Sequence, residues 1–131
     1  MKSAYPVLMR EGEKFIVVHI PDFQINTQGT DYADAMQMAR DAISLMGIDM
    51  EDDRESIPNP SPIESVKREF PGDVVTLVDV DFAAFRRRHE KRTVRRNITL
   101  PAWLDKAAND AKINVSRVTQ TALKQQLHIP D

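Results

Sequence analysis

The sequence predicts an α+β chain in two parts: a small antiparallel sheet with one covering helix, followed by a strand–helix–helix module. Three observations predict it. Runs of strand formers lie on both sides of an alanine-rich helical stretch in the first 85 residues. A short alternating run, RTVRRNITLP, leads into two helical stretches in the last third. Charge divides at the same place: residues 1 to 85 hold 7 Lys and Arg against 16 Asp and Glu, net −9, whereas residues 86 to 131 hold 11 against 4, net +7. The total of −2 hides an acidic body and a basic tail. That asymmetry fits a chain whose one end meets a polyanion and whose other end meets a basic partner.

The elements follow in order. YPVLMR and KFIVVHI are rich in strand formers, and Glu11, Gly12 and Glu13 between them make a hairpin turn. Pro21 and Asp22 stop the second strand, and INTQGT adds a short third one. Thr30 or Asp31 then caps a helix in which Ala35, Ala39, Ala42, Ile43 and Met46 recur at helical spacing, with Gly47 as its expected end. Asp49 to Pro62 reads as an acidic, proline-bearing loop, and DVVTLVDVDF as the returning strand. The run FRRRHEKRTVRR reads as a linker that adds phosphate contacts without sequence preference. The expected organisation is a first domain over 1–85, a basic linker over 86–92 and a second domain over 93–131.

In the second domain Thr93, Arg95, Asn97 and Thr99 share one strand face, while Val94, Arg96, Ile98 and Leu100 share the other. Arg96 is the one charge on the apolar side, and its stem is long enough to reach water. Pro101 suits the first turn of a helix, WLDKAANDAK continues it to about Lys112, and Asn114 or Ser116 caps a second helix with Val118, Ala122 and Leu123 on a core-facing side. A lone strand leaves both rows of its backbone groups open. Antiparallel pairing with the same strand of a second chain closes one row and puts two copies of Arg95, Asn97 and Thr99 on one exposed ribbon, which fits the DNA major groove. There arginine forks onto guanine, asparagine onto adenine, and threonine meets a base edge or a thymine methyl. This module resembles the ribbon-helix-helix repressors. The resemblance implies DNA-binding residues Thr93, Arg95, Asn97 and Thr99 on the strand, and a phosphate grip from Asn114, Val115, Ser116 and Arg117 at the second helix's N terminus, where open N–H groups attract an anion.

Composition narrows the alternatives. The chain has no cysteine, which excludes disulfides and thiolate metal sites. His19, His89 and His128 are too scattered for a metal-ligand set, the four glycines too dispersed to cradle a phosphate, and Ser116 belongs to a helix start. Trp103 and the methionines at 36, 38, 46 and 50 fill cores or interfaces. No cofactor is expected, no segment has the length of a membrane span, and a cytoplasmic protein that is not an enzyme is the expectation.

The first domain carries a second resemblance. YPVLM, IPDF at 20 to 23, TQG at 27 to 29, AMQMARDAI and IPNPSPIESV at 57 to 66, in this order, are similar to the HicB antitoxin domain. HicB domains have a shortened ribonuclease H-like fold and cover a basic, RNA-cleaving HicA toxin. The resemblance therefore implies a HicA-like toxin and operator DNA as partners, with a homodimer through the carboxy-terminal strand that can build higher assemblies. Asp22 and Phe23 are the candidate toxin contacts, and the carboxylates of Asp49, Glu51, Asp52, Asp53 and Glu55 suit toxin lysines or arginines. Where many HicB sequences have glycine and cysteine after the loop's proline, this chain has Phe23 and Gln24. Two other readings compete. Asp79 and Asp81, two apart on a strand, could hold a metal for a nuclease with Asp22 nearby, or the first domain could sense a small ligand for a stand-alone repressor.

Overall fold

Chain direction reverses at nearly every turn of the first part, because its strands are short and its punctuation is dense. A computed structural model describes residues 2–90 and 92–130; Met1, Asp131 and Lys91, the last within the expected linker, lie outside the described residues. Strands β1 (Lys2–Glu11), β2 (Ile16–Ile20), β3 (Ile25–Gly29) and β4 (Val74–Asp81) form one antiparallel sheet in the order β3-β2-β1-β4. The register pairs Met9 with Val18 on one side and Tyr5 with Val78 on the other. Pairing of β1 with β2 begins only at Leu8, so Pro6, which has no N–H to give, interrupts no bond of that ladder.

Alternation along the strands sends Tyr5, Val7 and Met9, Ile16, Val18 and Ile20, and Val78 and Val80 to one face. Helix α1 (Tyr32–Asp52) covers that face with Ala35, Ala39 and Ile43. Its start is capped reciprocally: Asp31 accepts from the Asp34 N–H at 2.8 Å, and Asp34 accepts from the Thr30 N–H at 2.8 Å. The alanines let the helix lie close on the sheet. A side chain at Gly29 would meet the Ala35 backbone nitrogen at 2.4 Å, so only glycine lets β3 pass so near to α1.

Three expectations are corrected here. Helix α1 does not end at Gly47 but runs on to Asp52. A Cβ at Gly47 would lie 2.1 Å from the Phe82 ring, so this glycine makes room for an aromatic side chain rather than a cap. The helix ends instead on Arg54, whose φ of 59° is left-handed, with Arg54 N–H donating to the Glu51 carbonyl and Glu55 N–H to the Met50 carbonyl. Second, the covering helix is not alone. A short helix, α2 (Ile63–Glu69), packs on β1 and β4 and buries Val66. Third, the expected linker is largely helical: α3 (Phe82–His89) is capped by Asp81, buries Phe82 and Phe85 and packs against α1. Arg86 fastens it to the end of α1, 3.0 Å from Asp52 and 3.5 Å from Glu51, and donates to the Ile48 carbonyl.

The chain divides into two compact units, Met1–Arg92 and Thr93–Asp131. The second contains helices α4 (Ala102–Asp110) and α5 (Val115–Gln126) behind an extended segment that has no ladder partner among the described residues. No described residue of this unit is buried.

Candidate functional site

The second unit holds most of the expected site residues together. Thr93, Arg95 and Asn97 line one open cleft of 610 Å³ with Val115 and Ser116, and Val94, Arg96 and Ile98 of the expected apolar face line it beside them. Thr119, Gln120 and Leu123 complete its α5 wall. Thr99, Asn114 and Arg117 are not in that lining. Asn114 instead caps α5, its Oδ1 accepting from the Arg117 N–H at 3.1 Å. A cap that takes the third N–H leaves those of Val115 and Ser116 without an intrahelical acceptor, so they remain available to an anion.

The apolar residues of this unit are equally telling. Val94, Ile98, Trp103, Leu104, Ile113, Val118, Leu123 and Leu127 are all exposed, Val94 to 78% and Trp103 to 72%. A pair of helices with this composition normally buries such a stripe.

In the first unit, Asp22 and Phe23 are engaged internally. Asp22 accepts from the Ser61 backbone N–H at 2.9 Å and from the Ser61 hydroxyl. Phe23 meets Tyr5 edge-to-face with ring centres 4.9 Å apart. Tyr5 in turn donates to the Pro58 carbonyl at 2.7 Å, which straps the 53–62 segment to β1. Burial, reinforced by the charge of Asp22, pushes the Tyr5 hydroxyl above its ordinary value. Gln24 adopts a left-handed φ of 53° to close this loop.

The pair Asp79 and Asp81 serves other ends. Arg40 donates to the Asp79 carboxylate at 3.0 Å, and this bond, with the backbone bond and the arginine's charge, holds its carboxyl below the usual range. Asp81 accepts from the Ala84 N–H at 3.0 Å, which lowers its carboxyl in the same way. Asp22 bonds to the strap rather than to either. Among the described residues no three His, Cys, Asp or Glu side chains gather as a metal site would require.

Residues 5–127 match the family model described as the HicB-like antitoxin of bacterial toxin–antitoxin systems. The chain belongs to the HicB-like antitoxin family. Antitoxins of this family are not enzymes. A relative in Haemophilus phage HP1, an uncharacterized 14.9 kDa protein of the rep–hol intergenic region, is 34% identical over 103 residues, 76% of this chain and 74% of its own. Two solved structures have the same fold across 96% of this HicB-like chain: a toxin–antitoxin complex from Streptococcus pneumoniae, with a TM-score of 0.58, 20% identity and 99% of that chain covered, and the Burkholderia pseudomallei antitoxin HicB, with 0.55, 21% and 97%. Among the described residues no helix is long and apolar enough to cross a membrane.

Sequence reasoning missed three participants in these sites. Ser61 and Pro58, which tie the strap to Asp22 and Tyr5, carry no local signal because their partners are 39 and 53 residues away. Arg86 was hidden in a run of arginines, though Phe82 and Phe85 at i and i+3 mark the helix that carries it.

Proposed function

We propose that this HicB-like antitoxin binds and neutralises a HicA-like RNA-cleaving toxin through its first unit and represses its own operon through its second. In the second unit two chains pair their 93–99 segments antiparallel, and Arg95, Asn97 and Thr99 of each read operator bases in the major groove. Thr93 extends that ribbon. Val115 and Ser116 N–H groups, held by the Asn114 cap, take a DNA phosphate, and Arg117 adds charge beside them.

One observation carries this reading: the whole 93–98 segment, with Thr93, Arg95 and Asn97 in it, shares a cleft with the N terminus of α5 in a unit that buries none of its described residues. A module of some forty residues without a core is not stable alone. A second copy supplies what is missing, since full burial of each Val, Ile or Leu contributes about 1.5–3 kcal/mol. The strand's open backbone edge finds its partner in the same step.

Toxin binding is supported by the family and by the acidic first part, whose charge steers a basic partner. Asp22 and Phe23 stay in this proposal as toxin contacts, on a loop that Ser61 and Tyr5 hold in shape. The test is a coexpression of the chain with its genomic neighbour, followed by footprinting of the upstream DNA and a mass measurement of the free chain. A dimer that protects a paired site is the expected result. Operator binding that is equal for wild type and Asn97→Ala would refute the base-reading assignment, and a monomer at working concentration would remove the ribbon.

A further inference from the structure

We propose that the cleft between α1 and α3 docks a partner protein that presents an apolar side chain flanked by lysine or arginine. This rests on the reading of the first unit as partner-binding and names the surface. On α1, residues 34, 38, 41, 45, 49 and 52 fall on one stripe at helical spacing. They are Asp34, Met38, Asp41, Leu45, Asp49 and Asp52, so two large apolar side chains stand among four carboxylates. A helix that merely faced water would have no use for the apolar members, yet Leu45 is 55% exposed and Met38 39%.

Leu45 also forms one wall of an open cleft of 310 Å³, with Ile48 and Phe85 as its apolar floor, His89 stacked on the Phe85 ring at 4.1 Å, and Asp52, Arg86 and Glu90 at its rim. Charge selects the occupant. Arg86, the cleft's guanidinium, lies 3.5 Å from Glu51, 3.0 Å from Asp52 and 3.5 Å from Glu90. Arg92 also lies 3.4 Å from Glu90, so three carboxylates face two guanidiniums, a cluster of net −1, and Asp49 adds a further carboxylate on the adjoining stripe. An incoming cation is attracted by that excess, while an apolar side chain against Leu45, Ile48 and Phe85 provides the desolvated centre that anchors most interfaces. The sheet's open face, where Val17 is 47% and Leu77 48% exposed, makes the contrast. Beside it Arg10 and Asp73 neutralise each other at 2.9 Å, so that face selects no charge.

The experiment uses the full chain and the small protein encoded beside it, purified separately and titrated against each other. Leu45→Lys is expected to weaken binding by at least about tenfold. Asp49→Lys is expected to weaken it by roughly threefold at low salt and less at high salt, as a rim charge does. Val17→Lys, of similar exposure on the opposite face, is expected to leave it unchanged. Should Leu45→Lys melt lower than wild type, Leu45→Gln provides the same comparison without an added charge. Wild-type binding with Leu45→Lys unimpaired, or with Val17→Lys as damaging, overturns the cleft alone. Failure of the wild type to bind its neighbour's product overturns both the cleft and the toxin-binding reading.

Discussion

The two units solve the same problem in opposite ways. The first closes its core within one chain: Val7, Val18, Ile20, Ala35, Ala39 and Ile43 have no accessible surface where α1 covers one face of the sheet. The second has comparable apolar content over a short length and buries none of it. Burial scales with size, so a module this small is stable only with help from outside. The lesson is that exposure means different things in the two places. On the readings proposed above, an exposed Leu45 in the first unit marks a surface for a different protein, whereas in the second eight exposed apolar residues mark half of a shared core.

The largest expected effect comes from making that half-core polar. Leu123→Asp lies in the cleft wall of α5. It is expected to abolish the dimer and reduce operator affinity by at least about a hundredfold, because a carboxylate buried without a partner costs several kcal/mol. The first unit should keep its own melt. Sedimentation and two-transition calorimetry check this, and a single shared transition that drops as a whole would break the distinction between the units.

A buried glycine gives the next effect, now confined to the first unit. Gly47→Ala puts a methyl 2.1 Å from the Phe82 ring and must push α3 off α1. The expected cost is about 1–3 kcal/mol in urea melts of the first unit, the usual range for overpacking. Operator binding by the second unit is expected to survive. Arg95→Ala reverses that pattern, with unchanged stability and a loss of about 1–3 kcal/mol in discrimination between operator and random DNA. Equal loss on both DNAs would reduce Arg95 to a phosphate contact.

How legible each unit is in the sequence follows from how local its determinants are. Alternation and helical spacing place β1 to β4 and α1 because each signal lies within its own segment. Helix α3 escaped because three arginines masked Phe82 and Phe85, and Gly47 was misread because its reason, the Phe82 ring, is 35 residues downstream. The loop at Asp22 depends on Ser61, 39 residues away. In the second unit the two helices are legible from their caps and spacing, but the 93–99 segment has no ladder partner among the described residues, and the second copy proposed to complete it leaves no local signal.

Helix ends provide a matched pair across the units. Helices α1 and α4 end on Arg54 and Lys112, with φ of 59° and 56°, where glycine is the unstrained choice. Arg54→Gly is expected to stabilise the first unit by about 0.5–1 kcal/mol, the left-handed cost less glycine's entropy. Lys112→Gly should contribute a similar amount, but its melt should depend on protein concentration if the second unit folds as a dimer. A concentration-independent gain at both sites would erase the contrast.

The smallest effect is in acid and belongs to the first unit. Asp79 and Asp81 both have carboxyls held below their ordinary value, the first by the Arg40 hydrogen bond above all, the second by the Ala84 N–H. A depressed folded pKa means that the unfolded chain takes up a proton first as pH falls. Each group's contribution is therefore complete above the ordinary carboxylate range and is lost as pH drops through the lowered folded value. Both groups lie near solvent, and Asp79 is 80% exposed, so the loss is modest and salt-sensitive. Asp79→Asn keeps the strand but removes the ion pair with Arg40, and it is expected to flatten the acid limb of the first unit's pH–stability profile below that range. The same variant decides between two uses of one carboxylate: an unaltered acid limb would mean that Arg40 does not hold Asp79 in solution, which would free that side chain for the metal that the nuclease reading requires.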